Sequence, residues 1–477
     1  MKVVSFNIRS ANDPNGHSFD ERAPRLKKII DRIDPDLIGF QEVVPGWMKH
    51  IPDDYGEKYE IFHKYRCETF DVEGCTILWK KELFECVDRG YFWLSDTPNV
   101  VSRGWDSIGC HRMVIWVKLK ELKTGVEFHF FNTHYGFSDD CQMKSAKLIL
   151  DHFKPMNVRT FFMTGDFNMF NHSPAYKYMS RTVRNMNELL ENDLSCTYHG
   201  YHPEHHGHET PIDFCFITPK TVEPVSYARI TDTIEGKYPS DHYGLELELE
   251  IKQTVDLYSL SMGSGLYAAD EGKISHHAWA ARHLVFSQDR DLVALRDVGK
   301  KEGEVLATKK TYTGVFADTA SPIYFKSDLF ELQEAVAIAE NTGLAILKHK
   351  NTGKVFGLLN ADSKEEQKQE VAKKITATLA KYAELPVVVA ANMEMRIGDE
   401  AYRTLRSEMK DFRYELDPHN IAPTYKGNFA DMADPGIRDF VLCRGESIVP
   451  VSYEIGGVHH WGMLISEHDA LTVSFTI

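Results

Sequence analysis

The feature of this 477-residue sequence that most constrains its fold is an internal repeat. Asp213-Phe214 recurs as Asp439-Phe440, and Ser240-Asp241-His242 recurs as Ser466-Glu467-His468, each 226 residues later. Further segments repeat in the same order, namely 77–85 as 323–331, 197–200 as 424–427, and 224–227 as 450–453. The chain also exceeds the roughly 250–300 residues at which a single core stops growing. We therefore predict a tandem duplication with domains at 1–252 and 253–477.

Charge and cysteine content restrict the class of protein. The formal net charge is −15, which disfavours non-specific binding to long nucleic acids, because such binding depends on Lys and Arg displacing counterions. The eight cysteines form no CxxC pair and seven lie in the first half, which favours reduced thiols and a cytoplasmic protein. Residues 2–8 are predicted to form a strand rather than a leader, and no stretch approaches the ~20 apolar residues of a membrane span.

Strand-like and helix-like segments alternate in the first half. Apolar residues at helical spacing predict a helix over 25–33, which Pro35 ends, and a second helix over about 139–153. Short apolar segments that alternate with these helices predict many strands, some joined by hairpins. The pattern is typical of an α/β (α+β) protein in which mixed sheets are covered by helices.

Acidic, amide and imidazole side chains lie where predicted strands of the first half end. In an extended segment Asp166 and Asn168 point to the same side, because side chains alternate with period two. Each such residue taken alone is more often a turn or capping residue. Asp213 within an apolar strand is harder to explain this way, because a buried carboxylate needs a partner. Gathered at one sheet edge, these groups would suit Mg²⁺ or Mn²⁺ rather than zinc.

Six short motifs carry a resemblance to a known family. In chain order they are Ser-Phe-Asn-Ile-Arg at 5–9, Gly-Phe-Gln-Glu-Val at 39–43, Asn-Thr-His at 132–134, Gly-Asp-Phe-Asn at 165–168, Ile-Asp-Phe at 212–214 and Ser-Asp-His at 240–242. This series resembles the endonuclease/exonuclease/phosphatase superfamily, which has a deoxyribonuclease-I-like fold. Residues 93–98 also resemble a bacterial branch related to carbon-catabolite-repressor deadenylases. The resemblance implies a four-layer sandwich, here in tandem: two packed mixed β-sheets flanked by helices.

The resemblance also implies roles for residues at the metal and the water. Glu42 matches the principal metal ligand, and Asn7 and Asp241 match positions that complete or support the metal site. Asp166 matches the residue that orients or deprotonates the attacking water. Asn168 matches the residue that holds this water or a phosphate oxygen.

Further positions match residues that contact the phosphate. His242, oriented by Asp213, is expected to contact the scissile phosphate and to serve in acid–base transfer. His134 matches a second histidine on the leaving-group side. Arg112 matches, less securely, a phosphate-contacting arginine. The histidine-rich loop 199–208 departs from the family pattern, and a flexible, substrate-facing loop is favoured there over a second metal site.

The second half lacks several of these groups. The sequence register pairs the site positions as Asn7 with Ser261, Glu42 with Asp297, His134 with Asp362, Asp166 with Ala390, Asn168 with Asn392, Asp213 with Asp439, Asp241 with Glu467, and His242 with His468. Alanine cannot orient water or carry charge, so we predict an inactive copy. His468 and Asp439 then persist for packing, or they line a weak phosphate pocket. The copy could also supply a dimer surface or cover the first cleft.

The sequence thus predicts a Mg²⁺-dependent phosphoric ester hydrolase (EC 3.1), acting through residues 1–252. Candidate substrates are RNA or single-stranded DNA, an inositol-phosphate-like compound, and a phospholipid or sphingolipid head group. The acidic charge favours a phosphorylated small molecule or a short nucleic acid over a long duplex, whereas the resemblance to the bacterial branch favours nuclease-like activity. The alternative is a non-catalytic phosphate-binding or scaffold protein in which both halves are inactive.

Overall fold

The computed structural model describes residues 1–69, 72–106, 109–153, 155–156, 158–191, 195–204, 210–262, 266, 270–425 and 436–477. The chain forms two compact units, unit 1 at Met1–Lys252 and unit 2 at Gln253–Ile477. Among the helices of the described residues, none combines the length and the apolar character needed to cross a membrane.

Unit 1 is built on two six-stranded sheets within its described residues. Its strands, numbered in chain order, are β1 (Lys2–Asn7), β2 (Leu37–Val43), β3 (Tyr59–Tyr65), β4 (Gly74–Lys80), β5 (Phe84–Trp93), β6 (Met113–Glu121), β7 (Glu127–His134), β8 (Phe161–Asp166), β9 (Arg184–Asn185), β10 (Asp213–Ile217), β11 (Val222–Ile230) and β12 (Gly244–Ile251). The first sheet has the order β11-β12-β1-β2-β4-β3 and the second the order β5-β6-β7-β8-β10-β9. Both sheets are mixed: β1 and β2 are parallel, as are β7 and β8.

Helices cover the outer face of each sheet in unit 1. They are α1 (Phe19–Ile33), α2 (Ile51–Tyr55), α3 (Asp139–Phe153), α4 (Pro174–Met179) and α5 (Met186–Leu189), with a 3-10 turn at Trp47–Lys49. Helix α1 begins six residues before the predicted start, where the Ser18 backbone N–H donates to Glu21 Oε2 at 3.1 Å. Helix α3 has its predicted bounds.

Side-chain alternation in the strands builds the four layers of unit 1. In β1, Val3 points into the core between the two sheets, whereas Val4 packs with Leu26 and Ile30 of α1. On the second sheet Phe131 faces α3 and packs in the same cluster as Ile149. Because successive residues of a strand point to opposite faces, each sheet buries one face against its partner and the other under helices.

A buried amide joins the two sheets of unit 1. Asn132 of β7 is fully buried, and its Nδ2 donates to Phe40 O at 2.9 Å and to Thr76 O at 3.1 Å, both in the first sheet. Its Oδ1 accepts from Gln41 Nε2 at 2.7 Å. Unit 2 has Asn360 in the equivalent place, where Nδ2 donates to Leu295 O at 2.7 Å.

An Asn132→Ala variant should lower the free energy of unfolding of unit 1 by about 3–5 kcal/mol, because a buried donor and two buried carbonyls lose their partner. Urea unfolding followed by tryptophan fluorescence measures this, since Trp47, Trp79 and Trp93 are buried in unit 1. Asn99→Ala at an exposed position is the matched control and should shift the transition by less than about 0.5 kcal/mol. Equal effects of the two changes would contradict the bridging role.

Unit 2 repeats this architecture in its described residues. Its strands are β13 (Thr254–Ser261), β14 (Leu292–Arg296), β15 (Tyr312–Val315), β16 (Ile323–Lys326), β17 (Phe330–Ala339), β18 (Thr342–His349), β19 (Val355–Asp362), β20 (Val387–Asn392), β21 (Lys410–Asp411), β22 (Asp439–Arg444), β23 (Pro450–Gly456), β24 (His459–His460), β25 (Met463–Leu464) and β26 (Ala470–Thr476). Its helices are α6 (Glu271–Ser287), α7 (Lys300–Leu306), α8 (Lys368–Ala380), α9 (Glu400–Arg406) and α10 (Phe412–Leu416), with a 3-10 turn at Glu365–Gln367.

The sheets of unit 2 have the orders β15-β16-β14-β13-β26-β23 and β17-β18-β19-β20-β22-β21, with β24 and β25 as a separate hairpin. Separate apolar clusters fill the space between the sheets, the space under α6, and the space under α8 and α9. The predicted fold class, tandem four-layer α/β sandwiches, is confirmed.

Strand register fixes which positions of the two units are equivalent. In unit 1, Asp166 of β8 lies opposite Asp213 of β10. In unit 2, Asn392 of β20 lies opposite Asp439 of β22. Since Asp213 and Asp439 are equivalent, Asn392 occupies the position of Asp166.

The sequence-based pairing of this strand was therefore wrong by two residues. Asp166 is equivalent to Asn392 rather than Ala390, and Asn168 to Glu394 rather than Asn392; Asn168 and Glu394 also share a left-handed backbone, with φ of 47° each. A slip of two keeps every side chain on the same face, so apolar alternation could not detect it.

Candidate active site

The candidate residues of unit 1 lie where neighbouring strands end. Asn7 is the last residue of β1, and Glu42 lies on β2 beside it, at an irregular point of the strand pairing where φ of Glu42 is +61°. In the second sheet His134, Asp166 and Asp213 face one another across β7, β8 and β10. Backbone geometry alone thus places carboxylates from both sheets at one edge.

Asn7 links the two central carboxylates. Its Nδ2 donates to Glu42 Oε1 at 3.0 Å and to Asp166 Oδ2 at 2.9 Å, while its Oδ1 accepts from the Arg9 backbone N–H at 3.0 Å. Glu42 Oε2 accepts from the backbone N–H and the hydroxyl of Ser10 at 2.6 and 2.8 Å. Burial raises the pKa of Glu42, but these donors outweigh it and hold the pKa below the ordinary value, so the carboxylate is ionised.

His242 and Asp213 form a buried pair beside Asp166. His242 Nδ1 lies 3.0 Å from Asp213 Oδ2, and its Nε2 faces Asp166 Oδ2 at 3.8 Å. Burial lowers the pKa of His242, but the Asp213 carboxylate outweighs it and raises the pKa to about 10. Burial, reinforced by the Asp213 charge, raises the pKa of Asp166 to about 7. This couples an imidazolium donor to a carboxyl group that titrates near neutral pH.

His134 faces the same carboxylate from the other side. Its Nε2 lies 3.5 Å from Asp166 Oδ2, and its Nδ1 lies 3.2 Å from both Arg66 Nη2 and Glu73 Oε1. Arg66 and Glu73 also form an ion pair. Burial, with the positive charges of Arg112 and Arg66, holds the pKa of His134 well below its usual value, so the ring is neutral.

Two loops complete the edge. Asn168 donates its backbone N–H to Asp166 Oδ1 at 2.9 Å and its side-chain amide to Tyr135 O at 3.0 Å. Asp241 is buried, which raises its pKa, and Oδ2 of Asp241 lies 3.3 Å from Arg9 Nη1. Asp241 therefore pairs with a cation at the rim of the site.

Arg112, which the resemblance matches to a phosphate-contacting arginine, is buried beside Phe137. Its guanidinium carbon is 5.3 Å from the centroid of the Phe137 ring, and its Nε and Nη1 are buried with no hydrogen-bond partner among the described residues. Its positive charge adds to the effect of burial in lowering the pKa of His134.

The side chains around these groups enclose one cleft of about 460 Å³. It is lined by Arg9, Glu42, His134, Phe137, Asp166, Asn168, Phe170, Tyr198, Ile212, Asp241 and His242. Sequence reasoning missed Ser10, Arg66 and Glu73, and no motif signals them, because loops bring them to the site.

The donor set of this cleft fits a hard divalent cation. The ligand atoms of Glu42, Glu73 and His134 lie within 4.8 Å of one another, as do those of Asp166, Asp213 and His242. Carboxylate oxygens dominate both groups, which suits Mg²⁺ or Mn²⁺. Asn7 directs its amide nitrogen, rather than its oxygen, at the two carboxylates, which suits a residue that orients metal ligands.

The histidine-rich loop is only partly described. His199 is buried, and its ring packs 4.4 Å from that of Tyr238 and 4.3 Å from that of Tyr243. His202 is exposed near Glu204. Residues 205–209, which include His205, His206 and His208, lie outside the described residues.

The model of the endonuclease/exonuclease/phosphatase family matches residues 4–242, just over half of the chain. The chain belongs to this family. Members of the family are phosphoesterases, nucleases and phosphatases, so the recognition made from the sequence is confirmed.

Individual relatives are distant. An endonuclease/exonuclease/phosphatase family protein from Bacteroides thetaiotaomicron is 27% identical, with a TM-score of 0.49, and the match covers 53% of this chain and 98% of that one. A mannosyl-6-phosphatase of the same species is also 27% identical, with a TM-score of 0.48, and the match covers 53% of this chain and 100% of that one. An uncharacterised protein, L388, of Acanthamoeba polyphaga mimivirus is 25% identical over 188 residues, which are 35% of this chain and 67% of the viral protein.

Unit 2 of this family member keeps a cleft of about 460 Å³ at the equivalent edge. His468 Nδ1 lies 2.7 Å from Asp439 Oδ2, matching the pair in unit 1. Asp297 lines the cleft in place of Glu42, and Asn392 in place of Asp166. Among the described residues of unit 2, no three possible metal-ligand groups converge.

A buried arginine changes the charge beneath this second cleft. Arg296 takes the place of Gln41 and is fully buried, with Nη2 donating to Ser259 Oγ at 2.9 Å and Nη1 to Asn360 Oδ1 at 3.1 Å. Its Nη2 also lies 3.7 Å from Asp439 Oδ1. A fixed positive charge at this place opposes binding of a divalent cation.

Proposed function

We propose that unit 1 is a Mg²⁺- or Mn²⁺-dependent hydrolase of a small phosphoester. The observation that carries the proposal is the convergence of Glu42, Asp166 and the Asp213–His242 pair around one cleft. Glu42, supported by Asn7 and Asp241, would hold the cation, which supplies polarisation of a phosphoryl oxygen and offsets developing negative charge.

Side chains of unit 1 would accept and donate the protons that hydrolysis transfers. Asp166, whose pKa lies near neutral, is placed to accept a proton from the attacking water, and Asn168 to hold that water. His242 stays protonated because Asp213 holds its Nδ1, so its Nε2–H can donate to a phosphate oxygen or to the leaving group. His134 is neutral, and its Nε2 faces Asp166 in the cleft, where it can form a hydrogen bond with a substrate oxygen.

We propose that unit 2 is a degenerate copy without hydrolytic activity. Asn392 cannot accept a proton as a carboxylate does, Asp297 is one methylene shorter than glutamate, and Arg296 opposes a cation. Its polar cleft remains available for packing or ligand binding. A scaffold role for both units is the alternative, and the intact set of groups in unit 1 favours hydrolysis.

Hydrolysis of bis-nitrophenyl phosphate, nucleotides, sugar phosphates and short oligonucleotides by the full chain tests the proposal. Turnover should require Mg²⁺ or Mn²⁺ and stop when EDTA is added. His242→Gln should lower the rate about 10²- to 10⁴-fold. Absence of metal-dependent turnover of every compound by the wild-type protein at micromolar concentration would leave the scaffold alternative.

A further inference from the structure

Two aromatic side chains line the cleft of unit 1 beside its polar floor. Phe137 follows β7 three residues after His134, and Phe170 follows β8 two residues after Asn168. We propose that Phe137 and Phe170 form a wall that binds a ring, so that the substrate is a phosphate ester of a cyclic group, a sugar or a nucleoside. This inference rests on the proposed hydrolase function and names its substrate class.

The wall is held in place by buried hydrogen bonds. Gln142 of α3 is 2% exposed, and its Nε2 donates to Phe137 O at 3.1 Å and to Asn168 O at 2.6 Å, which joins the two loops. The Phe137 backbone N–H donates to Asp106 Oδ2 at 2.6 Å. A loop fixed in this way exposes its aromatic ring as a defined surface.

Each ring of the wall has a polar partner against it. The Arg112 guanidinium lies 5.3 Å from the Phe137 ring, and the His172 ring lies 5.5 Å from that of Phe170 at an interplanar angle of 7°. The Phe137 side chain is nevertheless 58% exposed, so its ring is accessible to a ligand in the cleft that it lines. An aromatic ring held at the mouth of a cleft in this way is suited to stacking on a ligand ring.

The size and charge of the cleft limit what can bind there. A volume of about 460 Å³ lies in the range of sites for small molecules. The floor supplies polar groups for one phosphate, and the wall supplies apolar area that an acyclic phosphate ester would not contact. Sugar C–H groups and nucleobases both pack on aromatic faces, so the two share the chemistry that this wall recognises.

Kinetics of the full-length Phe137→Ala variant test this inference. We expect kcat/KM for hexose 6-phosphate and adenosine monophosphate, or for a dinucleotide if the enzyme cleaves diesters, to fall about tenfold. The value for the acyclic glycerol 3-phosphate, or for glycerophosphocholine among diesters, should change less than about twofold. The cyclic compound with the larger loss identifies whether a sugar or a base lies on the wall. Phe137→Trp should retain activity on the cyclic compounds.

Trp279→Ala is the matched control, because Trp279 is an exposed aromatic residue of unit 2, with the Arg282 guanidinium 5.4 Å from its ring. It should leave both substrate classes unchanged. Equal losses of kcat/KM on cyclic and acyclic compounds, or no loss on either, would contradict the proposed ring-binding role of Phe137 without affecting the proposal that unit 1 is a hydrolase. If the wild type hydrolyses none of these compounds, the proposed function is wrong. Calorimetric binding of the same compounds then tests the aromatic wall: Phe137→Ala should weaken binding of the cyclic compounds and leave binding of the acyclic ones unchanged.

Discussion

An Asp166→Asn variant of the full chain should hydrolyse its substrate about 10²- to 10⁴-fold more slowly than the wild type, because an amide cannot accept the proton of the attacking water. The change is nearly isosteric. The one oxygen of asparagine can still accept from the Asn168 backbone N–H, as Asn392 Oδ1 accepts from the Glu394 backbone N–H in unit 2. The hydrogen bond from Asn7 Nδ2 to the second oxygen is lost. Unit 2 carries asparagine at this position, Asn392, which lies opposite Asp439 in an ordered strand pair. The fold therefore accommodates asparagine here, and steady-state kcat at saturating Mg²⁺ is the measurement.

The same variant measures the activity of unit 2, which it leaves intact. If the variant keeps more than about one hundredth of the wild-type rate, either Asp166 is not the base or unit 2 hydrolyses the substrate. Adding a substitution of His468, His468→Gln, separates these readings, since only activity of unit 2 would fall further. The reverse change, Asn392→Asp, should not increase the turnover of the Asp166→Asn variant, because Asp297 and Arg296 remain in unit 2.

The fold was predictable because its signals are distributed along the chain. The repeat of Ser240-Asp241-His242 as Ser466-Glu467-His468 marks two domains, and apolar alternation such as Val3 against Val4 sets which face each strand buries. The motif residues also come together as expected, because strands that end at one edge carry their last side chains to the same place. The roles of these residues remain proposals.

The contacts that tune the site were not predictable. Arg66 and Glu73 reach His134 from segments outside the family motifs, and Ser10 binds Glu42 through a loop. Their positions depend on loop conformation, which has no periodic signal in a sequence. The wrong pairing of Asp166 with Ala390 has a different origin. A displacement of two residues leaves each side chain on the same face of the strand, so only the register with the hydrogen-bonded neighbouring strand shows the correct pairing.

Substitution of Glu42, the proposed principal metal ligand, is expected to have a large effect on the Mg²⁺ requirement. Glu42→Gln should raise the Mg²⁺ concentration for half-maximal activity by about 100-fold or more, because substituting even a residue that only supports a metal ligand costs about 10–100-fold in affinity. Glutamine keeps the length of the side chain, and its one oxygen can still accept from the backbone N–H and hydroxyl of Ser10, whereas the hydrogen bond from Asn7 is lost. Initial rates at increasing Mg²⁺ concentration, with thermal unfolding as the folding control, measure the effect.

Two further variants separate the contributions of charge, length and hydrogen bonding at Glu42 to Mg²⁺ affinity. Ser10→Ala removes one donor to Glu42 Oε2, at 2.8 Å, but leaves the charge, so a shift of about tenfold is expected. Glu42→Asp keeps the charge but shortens the side chain to that of Asp297, so it should resemble Glu42→Gln if reach governs binding. If all three variants require the same Mg²⁺ concentration as the wild type, the cation is not held at Glu42. Among the described residues, the Asp166–Asp213–His242 group would then be the next candidate to hold it.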